Sequence, residues 1–333
     1  MLAVACVTTV VVAVAVAVLG ARSARIGSDR AARAAAPKAL AILSGRRPFT
    51  VFRSVDRSDP STYGRILVAA LHGTTPGRGV LAGPTCKRVA VAGGKGICLD
   101  ELGTRMAVEL LDDRLHVTRS FELPGIPSRA RVSPDGRWGG VTAFIVGHAY
   151  AAPGQFSTAT TLIDLRRGVA IGNLEKDFRV TRDGAPVDER DRNYWGLTFA
   201  PDGDTFYATL ATGGQTYLVQ GSIRGRSAHV IHENVECPSV SPDGGRIGYK
   251  QAVSHNPTRW RFHVLDLGTG QDTALAETRS VDDQLAWLDD EHLLYGDGTR
   301  EWLVAADGSG RPQAWIAGGD SATVAGADSA TVG

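Results

Sequence analysis

Two histidines and a glutamate late in the chain have side chains that could bind a metal ion. His229 and His232 are three positions apart, and Glu233 follows directly. A zinc site needs three or four such ligands converging on one point. The segment has the character of a strand, and residues three apart in a strand point to opposite faces. We therefore expect ordinary surface histidines here, no metal site, and no cofactor.

A serine hydrolase would need a different signature. The turn that exposes the catalytic serine of α/β-hydrolases has the pattern G-x-S-x-G, and a further domain of about 250 residues surrounds it. The pattern does not occur in this sequence. The sequence therefore predicts a protein that is not a hydrolase of this kind.

Two of the four cysteines are spaced so that they could form a disulfide. Cys86 and Cys98 flank one predicted hairpin, whereas Cys6 and Cys237 have no obvious partner. Cys86 and Cys98 face each other if the turn is centred near Ala92 and Gly93, although the glycines indicate a slightly later centre. Two buried free thiols are the alternative. We predict the disulfide, which would stabilise the chain by about 3 kcal/mol on the chain-entropy model and would favour an oxidising compartment.

A repeated five-residue turn organises the rest of the chain. The copies are Val132–Gly136, Phe199–Gly203 and Val240–Gly244, with a degenerate copy at Trp287–Asp290. Proline sets φ at the first corner, aspartate accepts bonds from the turn's own backbone, and glycine supplies a positive φ. Apolar strands precede and follow each copy, and a second hairpin comes downstream. Four short strands in 40–50 residues are typical of one blade of a β-propeller.

The strand–SPDG–strand–LDL pattern, over roughly residues 48–320, resembles the TolB-like, WD-type β-propeller repeats. Segments such as 128–136 and 280–284 are also similar to actinobacterial membrane-anchored TolB-like proteins of unassigned function. The resemblance implies an all-β, six-bladed propeller. It departs from TolB because the residues before 48 leave no room for the N-terminal α/β domain of TolB, so the specific partners of TolB are not implied.

The propeller is predicted over residues 48–324, with a tail at 325–333. The predicted blades cover residues 48–82, 85–123, 129–180, 194–234, 237–277 and 281–317. The first blade has only three convincing strands. A propeller commonly closes its ring with a strand from the other terminus, which removes an exposed edge. The sequence DSATV occurs at Asp320–Val324 and again at Asp328–Val332, and either copy could be the missing inner strand.

One face of this propeller should gather the blade-to-blade connections and the turns between second and third strands; we call it the loop-rich face. Its unusual segments are residues 146–158, 181–195 and 250–260. Aromatic side chains with a few charges at a channel mouth suit ligand or partner binding. The alternative is that Trp195 and Trp260 only pack between blades. The candidate binding residues are His148, Tyr150, Phe156, Tyr194, Trp195, Glu236, Lys250, Trp260, Asp282 and Asp283.

The N-terminus reads as a membrane segment followed by a stalk. Leu2–Leu19 is apolar and uncharged, so residues 1–20 are predicted to be a retained single-pass anchor, or alternatively a cleaved signal. Residues 21–47 form a basic, Ala/Arg-rich stalk. Residues 20–47 hold seven basic residues and one acidic residue, a charge of +6, which leaves −5 for the remainder of a chain whose net charge is +1. A mildly acidic body argues against nucleic-acid binding.

These observations favour a non-enzymatic binding or scaffold propeller of the cell envelope. Its body is expected to be monomeric and extracytoplasmic, or secreted if the signal is cleaved, and to engage a protein or glycan through the loop-rich face. The alternative is a small-ligand-binding or metal-dependent enzyme of the lyase or lactonase type. That alternative would need a metal cage at the channel axis, for which His148, Glu236, Asp282 and Asp283 are the candidates.

Overall fold

The computed structural model describes residues 35–145 and 157–326. These residues form six mostly antiparallel sheets of four to six strands, arranged as a propeller, which confirms the predicted all-β architecture. The predicted anchor at residues 1–20 and the first part of the stalk lie outside the described residues. Within the described ranges, no helical segment combines the length and the apolar character required for a membrane span.

The first three blades are formed in chain order, except that blade 1 takes one strand from the end of the chain. Blade 1 contains β1 (Phe49–Ser54), β2 (Arg65–His72), the short β3 (Thr75–Pro76), β4 (Val80–Thr85) and, from the end of the chain, β27 (Gly319–Ala325). Blade 2 contains β5 (Arg88–Ala92), β6 (Lys95–Leu102), β7 (Arg105–Leu111) and β8 (Val117–Pro124). Blade 3 contains β9 (Ile126–Val132), β10 (Trp138–Ile145), β11 (Ser157–Asp164) and β12 (Val169–Asn173).

The other three blades complete the ring. Blade 4 contains β15 (Asn193–Phe199), β16 (Thr205–Thr212), β17 (Gln215–Ser222) and β18 (Ser227–Glu233), with β13 (Arg179–Arg182) and β14 (Ala185–Pro186) added outside β18. Blade 5 contains β19 (Glu236–Val240), β20 (Arg246–His255), β21 (Thr258–Asp266) and β22 (Asp272–Ala274). Blade 6 contains β23 (Ala286–Trp287), β24 (His292–Gly296), β25 (Arg300–Ala305) and β26 (Gln313–Ala317).

Two short helices lie outside the blades. Residues 35–43 form α1, whose Ala39 is buried against the side chains of blades 1 and 2. Leu174–Asp177 forms α2, a single turn between blades 3 and 4. The end of the stalk therefore packs against the propeller through Ala39, Ile42 and Leu43.

The repeated turns have the predicted chemistry. In the copy at Ser133–Gly136, the Ser133 hydroxyl donates to Asp135 Oδ1 at 2.6 Å and accepts from the Trp138 amide at 2.8 Å. Gly136 has a φ of +66°. A Cβ on Gly93 of the preceding blade would lie 2.2 Å from the Gly136 amide nitrogen, so neighbouring turns pack backbone to backbone. Turn chemistry therefore also fixes the spacing of blades on this face, which we call the turn face.

The tail closes the ring through its first DSATV copy. β27 pairs antiparallel with β1, with Thr50 opposite Val324 and Arg53 opposite Asp320. The first strands of successive blades contact one another around the whole ring, from β27 through β5, β9, β15, β19 and β23 back to β27. The inner edge of blade 1 is therefore covered, as expected for a closed propeller. The second DSATV copy lies outside the described residues.

The segment between blades 3 and 4 differs from the prediction. Residues 181–195 were expected to be a long loop, but Arg179–Arg182 pairs in parallel with Ser227–His229 of β18, and β14 pairs with it in turn. Tyr194 and Trp195 belong to the innermost strand, β15. Only residues 187–192 remain as a connection, because the hairpin extends the outer edge of blade 4.

The Cys86–Cys98 disulfide is confirmed, but the two cysteines do not lie directly opposite each other in the hairpin. Cys98 lies in β6 opposite Val89, and the β5–β6 turn is centred on Gly93 and Gly94. Cys86 precedes β5, and its amide donates to the Gly64 carbonyl of blade 1 at 2.8 Å. The disulfide therefore fastens the connection from blade 1 to the second strand of blade 2.

Reduction of this disulfide should destabilise the full chain. The closed loop is short, with a sequence separation of 12, and removing such a link costs about 2–3 kcal/mol. We expect a reductant to lower the melting temperature of the wild-type chain by several degrees. The double variant Cys86→Ser/Cys98→Ser, which is the control, should melt at the lower temperature with or without reductant. An equal response of both proteins to reductant would contradict the assignment.

Candidate functional site

Four predicted residues converge at the channel mouth on the loop-rich face. Glu236 begins β19, Lys250 lies directly opposite it on β20, and Trp260 lies on the next strand, β21. Asp282 comes from the connection between blades 5 and 6 and accepts a hydrogen bond from Lys250 Nζ at 2.5 Å. We call Glu236, Lys250, Trp260 and Asp282 the mouth cluster.

The lysine holds this cluster together. The Lys250 side chain is 3% exposed, and its Nζ lies 3.8 Å from Glu236 Oε2 and 4.5 Å from the centre of the Trp260 ring. Trp260 Nε1 donates to Glu236 Oε1 at 3.1 Å. A buried ammonium needs such partners, since an unpaired buried charge is strongly destabilising. The indole is consequently held in one orientation.

The charge state of Lys250 limits its chemistry. Burial opposes the charged form, but attraction to Cys237, Asp282 and Glu236 outweighs burial and raises the pKa of Lys250 above its usual value. The amine is therefore protonated at neutral pH, and it cannot act as a general base or nucleophile there. Its role in this geometry is to position the indole and the two carboxylates.

The longest hairpin of blade 5 extends beyond the mouth cluster. Asn234, in the connection before β19, both donates to the Ala252 carbonyl and accepts from the Ala252 amide, at 3.0 and 3.1 Å. The ladder shifts register between Ala252 and Ser254, and the intervening Val253 is 56% exposed. An exposed apolar side chain thus lies on a hairpin that its neighbours hold rigidly.

Deeper in the channel, arginines from three strands approach one another. Arg88 lies on β5, Arg53 on β1, and Arg129 and Arg131 on β9. Arg53 and Arg88 share one carboxylate oxygen, Asp320 Oδ2, at 3.0 and 3.1 Å. Burial, partly offset by attraction to Asp283 and reinforced by repulsion from Arg129, lowers the pKa of Arg131 to about 10. The channel is therefore crowded with positive charge.

Two carboxylates complete this inner region. Asp283 lies 3.6 Å from Arg129 and accepts the Gly296 amide at 2.7 Å. Glu301 is 2% exposed and accepts the Ala322 amide of β27 at 2.9 Å. Burial, with repulsion from Asp283 as the next cause, raises the pKa of Glu301 to about 8. A void of about 30 Å³ lies among these groups; we call it the central constriction, lined by Arg88, Arg129, Arg131, Asp283 and Glu301.

The architecture resembles that of solved structures of other proteins. No family model matches the sequence, and no curated protein matches it. A TolB structure from Acinetobacter baumannii superposes with a TM-score of 0.55 over 85% of this chain and 67% of that chain, at 19% identity. A nidogen/laminin complex gives a TM-score of 0.56 over 85% of this chain and 99% of that chain, at 11% identity.

The fold is TolB-like. At these identities the likeness is one of fold, so the function of this TolB-like propeller must be argued from its own side chains. The turn face of the channel opens into a wider cavity of about 500 Å³, with Arg131 and Trp287 in its wall. This cavity and the central constriction share Arg131 and Ala286 in their walls, so the two adjoin.

The remaining predicted residues are distributed as follows. Asp283 faces the central constriction rather than the mouth cluster. Tyr194 is 1% exposed in the core between blades 3 and 4, and Trp195 is buried beside it. His148, Tyr150 and Phe156 lie outside the described residues. Of the ten candidates, the structure thus brings four together at one accessible place.

The described ranges contain several side chains of the types that bind metal ions. Within residues 35–145 and 157–326, no group of three or more His, Cys, Asp and Glu side chains is arranged to hold a metal ion. His229 and His232 both lie on β18. The register in which β18 pairs with β17 shifts between Val230 and His232. His232 Nδ1 lies 2.8 Å from the Glu233 carbonyl oxygen. Glu236 and Asp282 instead surround Lys250.

The sequence reasoning missed the arginines of the central constriction. Arg129 and Arg131 alternate along β9, the strand that directly precedes an SPDG turn. Residues two apart in a strand share a face, so this pattern was a detectable signal for two cations at the channel. Arg53, Arg88 and Glu301 gave no comparable local signal, since none of them has a charged residue two positions away in its strand.

Proposed function

We propose that this TolB-like propeller is a non-enzymatic binding module of the cell envelope. It engages a protein or glycan through the loop-rich face, at the mouth cluster. The observation that carries the proposal is the immobilised indole of Trp260, which Lys250 and Glu236 hold beside the 61% exposed side chain of Asp282. A fixed aromatic side chain with a neighbouring charge is typical of a binding hot spot.

The surroundings of the mouth cluster support a macromolecular partner. The β20–β21 hairpin projects next to it with Val253 exposed, and the buried Lys250 leaves the negative Asp282 as the charged group facing solvent. Binding that needs no rearrangement of the scaffold loses less conformational entropy. A partner with hydrogen-bond donors and an apolar contact for Val253 matches this surface.

The cell-envelope location rests on separate support. The Cys86–Cys98 disulfide suits an oxidising compartment, and the apolar residues 2–19 suit an anchor or signal that would carry the body there. The extracytoplasmic, single-pass arrangement is accordingly part of the proposal.

The test compares two tryptophan variants. The full chain is purified and incubated with envelopes from its native cells, and co-sedimentation or co-purification with envelope proteins and glycan is measured. Trp260→Ala is expected to reduce capture tenfold or more, since hot-spot indoles contribute about 2 kcal/mol or more. The control, Trp315→Ala, removes a part-buried indole from the outer strand β26 and should leave capture unchanged.

Two other outcomes of this comparison are possible. If both variants lose capture equally, the effect is general destabilisation and the mouth cluster is not the site. If neither variant loses capture, the partner binds elsewhere on the propeller. Either outcome would contradict the proposal.

A further inference from the structure

The central constriction and the Arg53–Asp320 ion pair beside it hold more positive charge than their carboxylates balance. Together they contain four arginines and three carboxyl groups: Arg53, Arg88, Arg129 and Arg131, and Asp283, Asp320 and Glu301. Glu301, with its pKa raised by burial to about 8, is mostly neutral at pH 7. The four guanidinium groups are therefore opposed by two carboxylates, Asp283 and Asp320, which leaves a formal excess of two positive charges. The excess is felt most at Arg131, whose pKa burial lowers to about 10. At Arg129, by contrast, burial is outweighed by attraction chiefly to Asp283, which raises its pKa.

The hydrogen bonds of the arginines are also incomplete. Asp320 Oδ2 is shared by Arg53 and Arg88. Arg131 donates to the Leu285 carbonyl at 2.5 Å, and among the described residues no carboxylate lies within ion-pair distance of it. Arg129 Nε is buried and has no hydrogen-bond partner. A buried donor without a partner costs about 1–3 kcal/mol, so an acceptor at this place would be stabilising.

The void has room for a small acceptor. About 30 Å³ of the central constriction is open to the centre of a water-sized molecule, and about 10–15 Å³ of such space is enough to hold one water. A chloride ion therefore fits. A water molecule would fit as well, but it would leave the excess positive charge unbalanced.

We propose that the central constriction is a binding site for a monatomic anion of chloride size, held between the guanidinium groups of Arg88, Arg129 and Arg131. The anion accepts hydrogen bonds from these groups and neutralises part of their charge. The site is separate from the mouth cluster and does not depend on the function proposed above. Bound chloride would link blades 2 and 3 at the channel, and so stabilise the closed ring.

The first test measures stability at constant ionic strength. Sodium chloride replaces sodium gluconate stepwise, and the thermal unfolding of the full chain is followed. We expect a saturable rise in melting temperature of roughly 3–6 °C for the wild type, since a ligand that binds only the folded state stabilises it by mass action. Arg129→Gln should lose this rise. The control, Arg105→Gln, changes an exposed arginine of blade 2 and should retain it.

The second test needs no variant and therefore does not depend on whether Arg129→Gln folds. Crystals of the full chain are grown with sodium bromide, and anomalous scattering locates the bromide ions. A peak among Arg88, Arg129 and Arg131 is the expected result. A water molecule alone at that place, or a chloride response that Arg129→Gln shares with the wild type, would overturn the proposal.

Discussion

Ending the chain at Gly318 is expected to lower its melting temperature by about 10 °C or more, or to prevent folding. This truncation removes β27, so β1 keeps β2 but loses its partner on the inner side and becomes an exposed edge. Arg53 and Arg88 lose the carboxylate of Asp320, and Glu301 loses the Ala322 amide. Losses of paired buried charges and a ladder strand are among the most costly single changes in a fold.

Ending the chain at Gly326 is the matched control. That cut keeps the whole of β27 and removes only the second DSATV copy, so the melting curve should be unchanged within about 1 °C. Thermal unfolding of the full chain and of the two truncated proteins measures both effects. Equal curves for the cut at Gly318 and the wild type would mean that the tail is not part of the ring.

Replacement of Glu301 by glutamine is expected to remove most of a pH-dependent loss of stability. The pKa of Glu301 is raised from 4.5 to about 8, chiefly by burial and then by Asp283. Between those values the folded state retains a proton that the unfolded state has released. The contribution of Glu301 is therefore fully present below pH 4.5 and is lost as the pH rises towards 8. At about 1.4 kcal/mol per pKa unit, the loss is on the order of 4 kcal/mol.

The stability curves of the two proteins are expected to diverge as the pH rises. At pH 8 the Glu301→Gln variant should be more stable than the wild type, since its amide oxygen still accepts from Ala322 without burying a charge. At pH 5 the two should be similar. Glu175, whose pKa burial raises to about 7, adds a parallel slope to both proteins. Denaturant unfolding from pH 5 to 8.5 measures the difference, with the exposed Glu122→Gln as control. Parallel curves for wild type and Glu301→Gln would contradict this account.

The turns and hairpins could be predicted from the sequence, because residues close together in the chain determine them. Proline, aspartate and glycine fix the turn at Ser133–Gly136 within five residues, so the hairpins and the blade count were readable. The positions of Glu236 and Lys250 followed from the same repeat, because Glu236 begins an innermost strand and Lys250 lies on the next one. The pairing of two such residues across adjacent strands needs only the hairpin register.

Contacts between distant parts of the chain could not be read in this way. The two DSATV copies are identical in sequence, and β27 is formed by the first copy, whose Asp320 pairs with Arg53 and Arg88 across the ring. Likewise, the parallel pairing of β13 with β18 joins residues almost fifty positions apart. Glu301 gave no sign of its neighbours in the sequence, since Asp283 and Ala322 approach it only when the ring is closed.

The most direct test of the central claim is photo-crosslinking in native cells. A photoreactive amino acid, p-benzoylphenylalanine, replaces Val253 beside the mouth cluster in the full chain. In a second protein it replaces Gln271, an exposed residue of the same blade on the turn face. We predict a discrete crosslinked product at Val253, lost when Trp260→Ala is added, and none at Gln271. A product at Gln271 alone, or a product at Val253 that Trp260→Ala leaves intact, would contradict binding through the loop-rich face.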